Sequence, residues 1–287
     1  MSLKKSLISL CCVVFAFQAN AQETAASAPT LKANFRRVGL ELSSTTITHS
    51  REYQNSPVTA LSSDSQTVVK GVFDFMLEYN RENMQWNNGI YAEYGKTKVK
   101  PVNQPTETNE NADKILLSSD YAHKMYEFSG LKFGPMATAE YQTEFTANDN
   151  APRTKILRGK AGMKLFDGDV IKSLYIAAVG EYDMTYDPHV SKSAAEFGWR
   201  LEDSPRDGVQ YSTEGYFRRY LSYSRYIGTD LIYDLNATAR MDVQVNTTLT
   251  FGPYVSYRYA RSRAAGVSGS NFTIGVAFTY KDLFNLK

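Results

Sequence analysis

His189 and Ser191, separated only by Val190, are the pair in this sequence best suited to nucleophilic chemistry. A histidine can take a serine's proton while a third group orients the imidazole. Glu202 and Asp203 follow at the far end of the next segment. A second constellation is electrostatic. Glu140, Glu144, Arg158, Lys160, Lys164, Glu196, Arg200, Arg240 and Arg258 all occupy even positions of extended-looking stretches, so each stretch turns them to one face. On the inside of a barrel they would either form a salt-bridged filling or line a narrow channel whose charge ladders orient a polar solute. The mixture of signs favours the filling. His49 and His123 are isolated, and His123 shares its parity with Tyr121 and Met125, as a rim or interface histidine would. The chain has no HExxH motif and no glycine-rich phosphate loop, so neither a metal nor a cofactor is expected.

Positioning either constellation requires strands, and the composition already narrows the choice. Mean hydropathy is −0.39, and beyond residue 21 the longest unbroken apolar run is Leu174 to Val179. A multi-helix membrane protein would need runs of about 20 residues. With 32 basic against 30 acidic residues the chain has no basic footprint for nucleic acid, and its 20 Tyr and 15 Phe are too many for a disordered tail. Lys4 and Lys5, the apolar run Leu7 to Phe17, and Ala19-Asn20-Ala21 together read as a secretory signal peptide over residues 1–21. Cys11 and Cys12 would leave with it. The exported chain could then form no disulfide, and a closed β-barrel, with every backbone group paired, is one alternative source of stability.

The remaining chain alternates with a period of two. Phe272, Ile274, Val276, Phe278 and Tyr280 are interleaved with Thr273, Gly275, Ala277 and Thr279, as in a strand with lipid on one side and a polar lumen on the other. The same alternation predicts strands at 34–48, 68–79, 88–99, 113–125, 130–146, 154–166, 172–186, 193–203, 208–219, 225–238, 243–259 and 270–280. The expected fold is an all-β, antiparallel transmembrane barrel of about twelve strands over residues 34–287, preceded by a flexible lead-in at 22–33. Short turns are expected at 80–87, 126–129, 167–169, 204–207 and near Arg240. The connections at 49–67, 100–112, 147–153, 187–192, 220–224 and 260–269 are mostly longer, and would be the outer loops. An internal echo, Phe133-Gly134-Pro135 and Phe251-Gly252-Pro253, suggests two bulges, because proline cannot donate to a ladder.

Thr273-x-Gly275-x-x-Phe278-x-Tyr280 resembles the C-terminal assembly signal of bacterial outer-membrane proteins, with Lys281 to Lys287 as an added tail. More loosely, residues 88–280 are similar to outer-membrane barrel families of unknown function that include the salt-induced outer-membrane proteins. The shared features are the Asn111-x-Asp113 strand entry, a tyrosine-rich hairpin series and an aromatic final strand. These resemblances imply an outer-membrane location with both termini periplasmic. They also imply outer-membrane lipid, lipopolysaccharide and the β-barrel assembly machinery as partners. His189-x-Ser191 resembles the pair of outer-membrane phospholipases and lipid A deacylases. Asp203 stands at the spacing of their third residue, although Lys192-Ser193 replaces their Asn-Gly. Asp187-Pro188-His189 resembles the Asp-x-His of outer-membrane aspartyl proteases, which also need a second acidic pair across the rim. Here the one Asp-x-Asp is Asp167-Gly168-Asp169, expected in a turn at the opposite end. The sequence thus reads as a non-enzymatic barrel: a narrow pore or binding site for small polar solutes, or an envelope structural protein. Lipid hydrolysis by His189, Ser191 and Asp203 is the alternative.

Overall fold

A computed structural model describes residues 29–53, 61, 65–100, 107–146, 152–228 and 230–286. The expected signal peptide and residues 22–28 of the expected lead-in lie outside them. The strands in chain order are β1 (Thr30–Thr48), β2 (Ser65–Arg81), β3 (Met84–Lys100), β4 (Glu107–His123), β5 (Tyr126–Phe128), β6 (Leu131–Thr143), β7 (Ile156–Phe166), β8 (Ile171–Asp183), β9 (Val190–Arg206), β10 (Val209–Tyr223), β11 (Leu231–Gln244), β12 (Leu249–Ser262) and β13 (Ser268–Asn285). Each long strand pairs antiparallel with its sequence neighbours. β1 pairs with β13, and β4 with β6, so the sheet closes on itself. β5 is a three-residue piece bonded only to β6. The closed wall is therefore the expected twelve-stranded antiparallel barrel.

Alternation decides which face each residue takes. On β13, Ala277 and Thr279 are 0% and 2% exposed, whereas Ile274 and Phe278 are 56% and 57% exposed. The exterior carries Leu40, Phe73, Ile90, Leu117, Leu157, Phe197, Phe217 and Val255, all exposed, while Glu41, Asp74, Arg158, Glu181, Glu196 and Arg218 are buried inside. That inverts the distribution of a water-soluble protein and matches the outward apolar band and polar interior of a transmembrane barrel.

The two ends of the barrel differ. Connections at 82–83, 129–130, 167–170, 207–208 and 245–248 lie at the end that holds the chain termini, and those at 49–64, 101–106, 144–155, 184–189, 224–230 and 263–267 at the other. The turn expected near Arg240 instead falls at Val245–Thr248, where the Asn246 side-chain oxygen accepts the amides of Thr248 and Leu249 at 3.0 and 2.8 Å. Arg240 and Asp242 are inward residues of β11. The outer connection expected at 220–224 lies at 224–230, because β10 runs on to Tyr223. At the termini, β1 begins at Thr30, inside the expected lead-in. β13 continues through Asn285, with Asp282, Leu283, Phe284 and Asn285 opposite Phe35, Asn34, Ala33 and Lys32. Residues 281–285 are thus strand rather than tail.

Neither proline of the echo sits in a bulge. The register is unshifted through Pro135 on the β7 side and Pro253 on the β13 side. On their other sides the β4–β6 ladder ends at Met136, and the β11–β12 ladder skips Gly252 and Pro253. The glycines explain the repetition. A Cβ at Gly134 would lie 1.7 Å from the carbonyl oxygen of His123, and one at Gly252 lies as close to that of Met241. Phe-Gly-Pro therefore serves both ladder breaks in the same way: glycine admits the facing carbonyl, and proline needs no partner for an amide it lacks. The bulge that bears on the interior is on β1, where Phe35 to Val38 carry a register shift against both neighbours. It turns two consecutive side chains, Arg36 and Arg37, towards the same inner carboxylates.

Candidate functional site

The interior has a packed half and a hollow half. In the packed half, away from the termini, β6 to β10 contribute a continuous ion-pair network. Arg158 bridges Glu140 and Glu181, both at 2.8 Å. Lys160 joins Glu140 at 2.8 Å to Glu196 at 2.7 Å. Arg218 donates its Nε to Glu196 at 2.6 Å and approaches Glu181 at 3.6 Å. Lys192 closes the set on Glu181 and Asp183 at 3.0 and 2.8 Å. The Tyr175 hydroxyl donates to Glu196 at 2.6 Å. Charges so removed from water persist only because each has opposite charges and hydrogen bonds around it. Nearby, Asp234 receives Arg258 at 3.1 Å and the Tyr216 hydroxyl at 2.9 Å.

Two residues of the first connection also fill this end. Tyr53 and Leu61 are fully buried against Leu231 and Ala260. The Tyr53 hydroxyl lies 2.8 to 3.1 Å from the carbonyls of Ala260 and Val267 and the amides of Ser262 and Gly269. One side chain thereby satisfies the backbone where the β12–β13 ladder ends.

The hollow half holds a cavity of about 850 Å³, within the usual range for a small-molecule site. Lys32, Asn80, Gln85, Asp167 and Lys172, at the termini-end rim, line its mouth, and it extends to Glu93, Lys114 and Asn271. Its wall holds nine cationic and nine anionic side chains, so net charge alone gives it no selectivity. The β1 bulge reaches across the lumen to β10. Arg36 meets Asp74 at 3.6 Å and Glu214 of β10 at 3.4 Å, and Arg37 meets the same two at 3.7 and 3.5 Å. Glu41 receives Arg240 from β11 at 2.7 Å and Lys70 at 3.3 Å. Lys70 also holds Glu93 at 2.9 Å, and Lys164 holds Asp120 at 2.5 Å.

The residues singled out from the sequence fall into separate groups. Glu140, Arg158, Lys160 and Glu196 meet in the network of the packed half. Lys164, Arg200 and Arg240 line the cavity, Arg200 paired to Glu202 at 2.5 Å. Arg258 pairs with Asp234. Glu144 lies past the end of β6, where it accepts the amide and hydroxyl of Thr154 at 2.9 and 2.6 Å, so it clasps a connection instead of facing the lumen. Of the assembly-signal positions, Phe278 is exposed on the outer face and Tyr280 partly so, whereas Thr273 and Gly275 have the inward parity of Ala277.

The proposed hydrolytic trio does not assemble. His189 is exposed, with Nδ1 at 2.9 Å from the Tyr182 hydroxyl. The Ser191 amide donates to Ser224 Oγ at 2.9 Å. Asp203 is twelve residues further along the same strand, opposite Tyr211 near the termini end. At about 3.3 Å per residue that places it roughly 40 Å from Ser191. Asp167 and Asp169 are likewise at the opposite end from Asp187. Glu41, Lys70, Asp74 and Glu93 join the lumen beyond the expected set, although each alternates with apolar neighbours on β1, β2 or β3. Arg36 and Arg37 do so against simple alternation, since a bulge resets parity.

The sequence model of a family described as "Protein of unknown function (DUF3078)" matches residues 60–148. No curated protein matches the chain in sequence. Among solved structures, the COG4313 outer membrane channel from Pseudomonas putida F1 superposes with a TM-score of 0.52 at 10% identity, over 93% of this chain and 100% of that one. The NanC porin reaches a TM-score of 0.40 at 11% identity, covering 83% and 98% of the two chains. Outer membrane phospholipase A from Escherichia coli reaches 0.41 at 9% identity, covering 84% and 89%. From inner charges, outer apolar band, closure and superposition alike, the fold is that of an outer-membrane β-barrel.

Proposed function

We propose that the protein is a non-enzymatic outer-membrane barrel that admits small polar solutes to its lumen, as a narrow pore or a binding vestibule. The observation that carries this reading is the 850 Å³ mixed-charge cavity open at the termini end. A barrel serving only as an envelope element would need no such space. Both termini lie in the periplasm on this reading, in keeping with short turns at their end and longer connections opposite. The outer apolar band meets outer-membrane lipid and lipopolysaccharide, and β13, with Thr273, Gly275, Phe278 and Tyr280, is the strand read by the assembly machinery. The loose likeness to salt-induced outer-membrane proteins adds no residue to this reading. The hydrolase alternative draws no support from a third residue at the far end of β9.

Liposome swelling tests the proposal. Refolded protein in vesicles should admit amino acids and other small polar solutes faster than disaccharides. Vesicles that contain inserted, heat-modifiable protein and yet admit none of them would refute the narrow pore, and failure of the same solutes to bind the refolded protein would refute the vestibule.

A further inference from the structure

The charges lining the cavity are equal in number but not equally matched. Among the described residues, eight of the nine anionic side chains belong to an ion pair. The ninth, Glu78, accepts the Asn34 amide at 2.7 Å. On the cationic side Lys32, Lys114 and Lys172 form no ion pair among the described residues, and Lys172 donates to the Gly168 carbonyl at 3.1 Å. Two of these lysines stand at the mouth, and Lys114 stands at the inner end.

Lys114 lacks a partner because its neighbours are taken. In register it faces Glu93 on β3, but that carboxylate already holds Lys70 at 2.9 Å and the Tyr91 hydroxyl at 2.7 Å. Glu140 is engaged by Arg158 and Lys160. Glu144 is engaged by Thr154. The Lys114 ammonium is left over the Tyr91 ring, 5.4 Å from its centroid. A ring face compensates an ammonium only in part, so Lys114 borders the cavity with its charge incompletely matched.

We infer that the inner end of the cavity binds the anionic group of a small solute, a carboxylate or phosphate, at Lys114, with Lys32 and Lys172 drawing anions to the mouth. The inference rests on the proposed reading of the lumen as solute space and names the class of solute.

The test is binding of inorganic phosphate to the refolded barrel in detergent micelles, followed by phosphorus-31 line broadening at constant ionic strength. Acetate serves as the carboxylate competitor and choline as the cationic control. Wild type should bind phosphate saturably, acetate should displace it, and choline should not. Lys114→Gln should weaken binding about tenfold, while Lys114→Arg should leave it within about twofold, with both variants keeping the wild-type gel shift on heating. Phosphate bound equally well by Lys114→Gln and wild type, or by neither, would overturn the site. The two readings separate in planar bilayers. Phosphate binding that depends on Lys114 in a barrel that passes no current sustains the anion site and refutes passage. Current without Lys114-dependent binding does the reverse.

Discussion

At the level of single residues, the charges of the packed network are each held by more than one partner, and this redundancy sets what a substitution should do. Glu196 receives Lys160, Arg218 and the Tyr175 hydroxyl, and its side chain is fully buried. Glu196→Gln leaves two buried cations under-compensated and should cost about 3–5 kcal/mol, read as a lower urea midpoint for the barrel in lipid vesicles. Glu127→Gln, which removes the partner of Lys124 at a surface turn, should cost less than about 1 kcal/mol. Equal losses would mean that the network is hydrated and not packed. The outer face follows a different rule. Ile176, midway along β8, is 65% exposed, so Ile176→Arg should cost about 2–4 kcal/mol where lipid is its solvent. Thr238→Arg, on the cavity wall, should cost clearly less. Matching costs would argue against lipid on one side and a polar lumen on the other.

At the level of elements, β13 is the strand on which the account makes its sharpest demand. Its last residues pair with β1, Phe284 packs edge-on against Phe35 at 6.0 Å, and Lys281 reaches Asp242 at 2.5 Å and Gln210 at 3.0 Å. Truncation after Tyr280 should therefore lower the temperature at which the barrel loses its folded gel mobility. Phe278→Ala with Tyr280→Ala should lower the amount inserted, because an outward aromatic of the closing strand is lost. A truncated barrel as heat-resistant as wild type would contradict the pairing of 281–285. The strands themselves were legible, because lipid outside and charge inside impose alternation on every one of them. What misled was polarity within strands. Arg240 and Asp242 look like turn residues by type, yet they are lumen residues of β11, and the turn formed instead at Asn246, whose side chain caps it. Arg36 and Arg37 stayed hidden because a bulge puts adjacent residues on one side. Asp203 misled because spacing in sequence carries no distance until the conformation is known, and an extended strand carries twelve residues from one rim towards the other.

At the level of the whole molecule, closure of the wall and division of the interior have different causes. Closure follows from pairing β1 with β13 and β4 with β6, which leaves no long edge strand unpaired among the described residues. The division follows from where the long charged side chains lie: the network of β6 to β10 fills one half, and Tyr53 and Leu61 press into the same end against β11 and β12. What is left is a polar vestibule lined from the termini-end rim inward. Single-channel recording of the purified, refolded protein in planar bilayers tests this most directly. The account predicts small, discrete conductance steps, well below those of a wide water-filled porin, that grow when Glu196 and Arg218 are both replaced by smaller neutral residues. Wide-porin conductance from the wild type, or silence from protein shown to be inserted and folded, would contradict it.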